Sequence, residues 1–194
     1  MTEAVGPTGG IRVERVGAPS WRTYRDVRIA ALIDSPRAFW STYTEVAGRT
    51  EDEWRRFPEQ VTAWLALDGD RPVGTVGLWR ADDQPADETT LIGMWVATVA
   101  RGTDVAERLV RTALLAAADA GIRRVTLDVA HENTRAWAFY TRLGFRPTGV
   151  VEAMPWDASV TEESMVLDLA AHLREFTDPA CPGGEGPWES GRHE

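Results

Sequence analysis

Apolar and polar residues alternate over 11–16 as Ile-Arg-Val-Glu-Arg-Val, the two-residue period of a half-buried strand. Ser20 then predicts the cap of a helix through Val27, Leu32 and Ile33 that stops near Ser35-Pro36. A second helical stretch over 38–57 is broken near Gly48, and Thr50 with Glu53 inside it reads as a capping box. Residues 62–67 and 71–80 read as a hairpin joined at Asp68-Gly69-Asp70, with another strand at 89–96 after a polar turn. A strong amphipathic helix over 105–120 ends at Gly121, followed by a β-branched strand at 124–130. A short helix over 134–143 closes at Gly144, and strands at 146–154 and 163–169 flank a Pro155-Trp156-Asp157 turn.

The resulting order, β-α-α-β-β-β-α-β-α-β-β, is that of an α+β domain in α/β/α layers, a mixed sheet with helices packed on it. The strand-helix-strand unit over 89–130 needs a crossover, so its two strands are expected to be parallel neighbours. A Gly-rich arm at 1–10 and an acidic Pro/Gly tail at 177–194 bracket one folded unit at 11–176.

Composition narrows the function. The chain has 194 residues, 43% of them hydrophobic, which suits one soluble domain. A formal charge of -9 argues against a nucleic-acid partner, because phosphate binding needs a basic face. All 21 basic residues are arginine, so an enzyme that acylates amines would have no lysine side chain of its own to modify. The single cysteine, Cys181, excludes an intramolecular disulfide framework. No histidine–acid cluster has metal-ligand spacing, and no metal is expected. There is neither an apolar run of bilayer length nor a basic-then-apolar leader, so no membrane partner and a cytoplasmic location are expected.

Two motifs carry chemistry. Between the strand ending at Val96 and the helix beginning near Val105 lies a turn with Arg101-Gly102-Thr103-Asp104-Val105-Ala106. A loop feeding a helix N-terminus presents unpaired N–H groups backed by the helix dipole, a seat for an anion. Arg101 adds a charged donor there, and Gly102 and Ala106 permit close approach of a ligand to the backbone. Asp104 cuts across this. Its carboxylate repels a phosphate, or else caps the helix through an Asp104–Glu107 box and competes for the same amides. The second motif is Asn133-Thr-Arg-Ala-Trp-Ala-Phe-Tyr-Thr-Arg-Leu-Gly-Phe145. Asn133 can cap this helix, and Tyr140 lies two turns along on the same face. Ala136, Phe139 and Leu143 cover the neighbouring core side.

Together these motifs resemble the GNAT superfamily of N-acetyltransferases. The first matches an Arg/Gln-x-x-Gly-x-Gly/Ala pattern in five of six positions, departing at Asp104 where glycine is usual. The second matches in Asn133, Ala136, Phe139-Tyr140 and Gly144-Phe145. The resemblance runs over 11–169 and is sharp over 91–145. It implies a GNAT-like, partly splayed central sheet with helices on both faces, and acetyl-CoA as co-substrate. It also implies a pantetheine arm pairing along Trp95, Val96 and Ala97, a pyrophosphate on Arg101, Gly102, Thr103, Asp104, Val105 and Ala106, Asn133 beside the cofactor, and Tyr140 as general acid near its sulfur. The acceptor is a small-molecule or peptide amine. Glu45, in the stretch that lines the acceptor side of such proteins, is the candidate base; a solvated helix glutamate is the competing reading. His131 reads equally as a base or a loop histidine. A longer acyl group, a homodimer, and a non-catalytic ligand-binding module weakened in CoA binding by Asp104 all stay open.

Overall fold

The computed structural model describes residues 10–172, so the proposed terminal tail and most of the arm lie outside the described residues. Seven strands and five helices follow in order: β1 (Arg12–Arg15), α1 (Trp21–Asp34), α2 (Tyr43–Ala47), α3 (Glu51–Gln60), β2 (Thr62–Asp68), β3 (Arg71–Trp79), β4 (Glu88–Val96), α4 (Val105–Asp119), β5 (Arg124–Ala130), α5 (Thr134–Arg142), β6 (Arg146–Met154) and β7 (Asp157–Asp168). The helical stretch predicted over 38–57 is two helices, each with its own capping box, Thr42 with Glu45 and Thr50 with Glu53. Ser20 stands at the start of α1 without capping it; its hydroxyl is spent on the Gly17 carbonyl. The final strand begins at Asp157, six residues earlier than predicted.

Sheet order is β1-β2-β3-β4-β5-β7-β6. Strand alternation sorts the core onto two faces. Ala63, Leu65 and Leu67 of β2 pack with Trp21, Tyr24, Val27, Leu32 and Trp54 of α1 and α3. Trp64 and Ala66 turn to the other face, where they meet Val105, Leu109, Val110 and Ala113 of α4. These α4 residues recur at helical spacing and are 1% exposed or less, each contributing on the order of 1–3 kcal/mol of burial for the larger side chains.

β4 and β5 are parallel, as the crossover requires, yet they pair only at Glu88–Arg124, Thr89–Val125 and Thr90–Thr126. This closed end is fastened by the Glu88–Arg124 ion pair and a 3.0 Å contact between the Thr90 and Thr126 hydroxyls. Beyond Thr90 the strands part. β4 is also bulged: Thr75 opposes Trp95 and Gly77 opposes Ile92, so Val76 faces both Gly93 and Met94. Gly93 takes φ 63, a left-handed conformation that a side chain would strain.

The N-terminus of α4 is seated by Gly74 of β3. A Cβ there would lie 2.9 Å from both Leu109 Cδ1 and the Trp95 carbonyl oxygen. Gly74→Ala is therefore expected to cost about 1–3 kcal/mol through overpacking. The check is urea denaturation, in which an unchanged midpoint would show that the β3–α4 approach has slack.

Candidate active site

The parting of β4 and β5 opens a cleft of about 1070 Å³. Its walls come from α1, the segment after it, the open half of β4, the β4–α4 turn, β5, α5, β6 and β7. Trp95, Val96, Arg101, Gly102, Thr103, Ala106, Asn133 and Tyr140 all line it. The sequence motifs thus converge on one cavity.

At the turn, Gly102 has φ 85 and open space where a Cβ would stand, so its backbone can be approached closely. Asp104 occupies the N-cap position but makes no side-chain cap hydrogen bond, which corrects the expected Asp104–Glu107 box. Its backbone is already helical (φ -78, ψ -1), whereas a capping side chain needs the extended region. The carboxylate instead accepts from Arg108 Nε at 2.6 Å, one turn up the exposed face. Thr103 works at the turn, donating to the Ala100 carbonyl at 2.7 Å and accepting from Val105 N–H at 3.4 Å. Val105 itself is core, 1% exposed.

Arg101 departs from expectation too. Its guanidinium is ion-paired with Asp34 and donates through Nε to the Val96 carbonyl at 3.0 Å, so the side chain is committed inside the protein rather than offered to an anion. Ala97 likewise has no free N–H, since it donates to the Val73 carbonyl at 2.8 Å. Asp34 is the hub. It also accepts from Trp95 Nε1 at 2.9 Å and Thr98 Oγ1 at 3.2 Å, tying the end of α1 to the end of β4 and the turn. The Trp95 bond first, then Ser35 and Arg101, hold its carboxyl down at about 2, against burial. Nothing in its sequence context marked Asp34, because apart from the adjacent Ser35 its partners lie more than sixty residues away.

At the other end, Asn133 caps α5, accepting from Ala136 N–H at 3.1 Å. Tyr140 is 7% exposed, and burial raises its phenol well above the ordinary value, which keeps it protonated at neutral pH. Ala136 and Phe139, assigned to the core side, line the cleft as well.

Glu45 does not meet the role expected of it. Its carboxylate accepts from Thr42 N–H at 2.7 Å and the Thr42 hydroxyl at 3.0 Å, bonds that lower its pKa and fix it as a cap away from the cleft lining. His131 is bound by Thr161 at 3.0 Å and Glu163 at 3.1 Å and stacks on Trp137, outside the cleft lining. Glu162 of β7 was missed. It lines the cleft at 6% exposure, and its pKa is raised to about 7 by burial and then by Asp128, with the Trp40 indole N–H opposing. Its signal in the sequence was a glutamate in the Val160–Glu162 alternation, hidden because the strand was read as starting one residue later.

An Acetyltransferase (GNAT) family model matches residues 29–145. The chain belongs to the GNAT family. Over 116 residues this GNAT chain is 34% identical to human N-acetyltransferase 8B, covering 57% of its own length and 51% of the relative's. Over 88 residues it is 35% identical to human N-acetyltransferase 8, covering 44% and 39%. It thus spans about half or less of the relatives' length. The crystal structure of an N-acetyltransferase from Staphylococcus aureus superposes with a TM-score of 0.65 at 15% identity, over 83% of this chain and 99% of that one, a likeness of fold.

The Asp34 hub makes a stability claim. A carboxyl depressed by native contacts stabilises the fold above its unfolded pKa near 4, and that contribution fades as pH falls towards 2. Asp34→Asn is expected to lose about 1 kcal/mol at neutral pH, after allowing for solvent screening, and to flatten the acid limb of stability against pH. Urea midpoints between pH 2 and 7 test this; parallel curves for the two proteins would remove Asp34 from its place.

Proposed function

We propose that this GNAT protein transfers the acetyl group of acetyl-CoA to a primary amine by direct attack. The observation that carries the reading is the cleft itself, with an anion-ready turn at one end and a protonated phenol and a high-pKa carboxyl along it. The pyrophosphate would sit on the backbone N–H groups of Gly102, Thr103 and Ala106, which line the cleft, held by amides and the α4 dipole rather than by the Arg101 side chain. Asp104 is neutralised by Arg108 and faces away from those amides, which supports cofactor binding over the non-catalytic alternative.

A protonated alkylamine, with a pKa near 10.4, must lose a proton before it can attack. Glu162, in place of Glu45, would take it, since a carboxyl near 7 is half ionised at working pH. The amine nitrogen then bonds to the thioester carbon. Charge building on the carbonyl oxygen would be met by backbone N–H groups freed at the Gly93–Met94 bulge. As the carbon–sulfur bond breaks, Tyr140 would hydrogen-bond the leaving thiolate and pass it a proton, and the proton shed by the cationic nitrogen of the adduct would restore the phenol as the amide forms.

Calorimetry with acetyl-CoA should give saturable micromolar binding; absence of binding would favour the non-catalytic module. Tyr140→Phe should retain that binding and lower kcat about 10²–10⁴-fold. In the wild type, kcat/KM should rise with pH through about 7 as Glu162 ionises, and Glu162→Gln should lower activity and abolish that limb. An unaltered profile in Glu162→Gln would remove it as the base.

A further inference from the structure

We infer that the acceptor is a small molecule carrying a carboxylate beside its amine, an α-amino acid or close analogue, with the carboxylate on Arg28 and the amine against Glu162. The inference rests on the acetyltransfer reading and narrows it to a substrate class.

Arg28 projects from α1 into the cleft lining. Its Nη1 is buried and has no hydrogen-bond partner. The guanidinium stacks over the Phe39 ring at 4.3 Å, which contributes attraction but accepts none of its in-plane N–H bonds. The titratable groups around it are Tyr24 on the same helix and Arg49 after α2, so among the described residues no carboxylate answers it, and burial lowers its pKa. Other arginines contrast with it: Arg37 is bidentate on Glu132, Arg101 holds Asp34, Arg108 holds Asp104, and Arg124 holds Glu88. An orphaned, buried donor costs the fold unless something supplies the acceptor. The bare face of Gly93 lies beside it, with the vacant Cβ position 4.0 Å from Nη1.

The opposite charge stands across Phe39 and Trp40. Glu162, Asp128 and Glu152 line the cleft together with Trp40, whose indole N–H lowers the Glu162 pKa, and the residue before Trp40 carries the Arg28 guanidinium on its ring. Two successive residues thus bring a cationic and an anionic pole to one end of the cavity. That end is held in place: Trp156 Nε1 donates to the Phe39 carbonyl at 2.9 Å, and Arg37 clamps Glu132 at 2.7 and 2.9 Å. A cavity with poles of both signs fits a zwitterion better than a simple cation, for which Arg28 would be repulsive.

The test uses the full chain with matched probes: phenylalanine, leucine and glutamate, each beside its α-amide and its decarboxylated amine. Binding is read by ligand-observed NMR with CoA present, and turnover by thiol release from acetyl-CoA. At least one free amino acid should bind and react about tenfold or more better than both its partners, with Arg28→Gln shrinking the ratio towards one and Arg28→Lys keeping part of it. If no set prefers the carboxylate, or the preference survives in an Arg28→Gln protein that melts like wild type, the assignment is overturned. Loss of acetyl-CoA binding or of thiol release from every amine would instead strike the acetyltransfer reading, while the NMR binding ratios still judge Arg28 on their own.

Discussion

Everything functional in this molecule depends on two parallel strands that stop pairing after three residues. Had β4 and β5 continued their ladder from Thr90–Thr126 onward, the backbone groups of the later β4 residues would be consumed by β5 and no cavity would exist. Keeping the strands apart has a cost, because an open ladder leaves polar backbone unpaired. The closed end is accordingly braced by the Glu88–Arg124 pair and threonine contacts, while β5 recovers its other edge by pairing along its whole length with β7. The wedge is thus fixed at its base, and its mouth is set by what packs on either side: α4 and α5 on one face, α1 and the segment around Phe39 on the other.

Charge is partitioned along that mouth by arginine pairing. With all 21 basic residues arginine, each can take a carboxylate in a planar, two-pronged fashion, as Arg37 does with Glu132, while Arg101, Arg108 and Arg124 each hold one carboxylate oxygen. Asp34 draws Arg101, Trp95 and Thr98 into one network that fixes the β4–α4 turn from behind, so the Arg101 guanidinium is spent on the scaffold of the turn. On the proposed reading the amides of a helix N-terminus would carry the anion-binding role, as their partial charge allows.

Much of this was legible in the sequence, and the failures are of two kinds. Local signals held: the turn at Gly102, the Asn133 cap, the Thr50–Glu53 box and the strand at Arg124–Ala130 each depend on residues within a turn or a strand of one another. Tyr140 was placed in the cavity by its spacing from Asn133. What escaped depends on contacts distant in sequence. Asp34 meets Arg101 across 67 positions, and Glu162 owes its raised pKa to burial in the folded cleft and then to Asp128 on a neighbouring strand. Glu45 shows the reverse error: a residue three positions away already held its carboxylate, and a capping box at Thr42 could have been read by the rule that found the one at Thr50. Gly93 inside a strand pattern was also readable as a bulge.

Asp104 shows how a departure from a family pattern can be accommodated without its carboxylate capping the turn's amides. Glycine at that position would leave the turn's amides bare; aspartate endangers them by repulsion or by capping. Here the backbone at Asp104 has already entered the helical region, which swings the side chain out of capping reach, and Arg108 stands one turn later to receive it. The pair is exposed, so it adds little to stability. Its consequence is local: the negative charge is turned away from the turn and balanced, and the hydroxyl of Thr103 takes over the short-range bond that orders the start of α4. The anion seat therefore depends less on the identity of residue 104 than on whether its carboxylate has somewhere better to go.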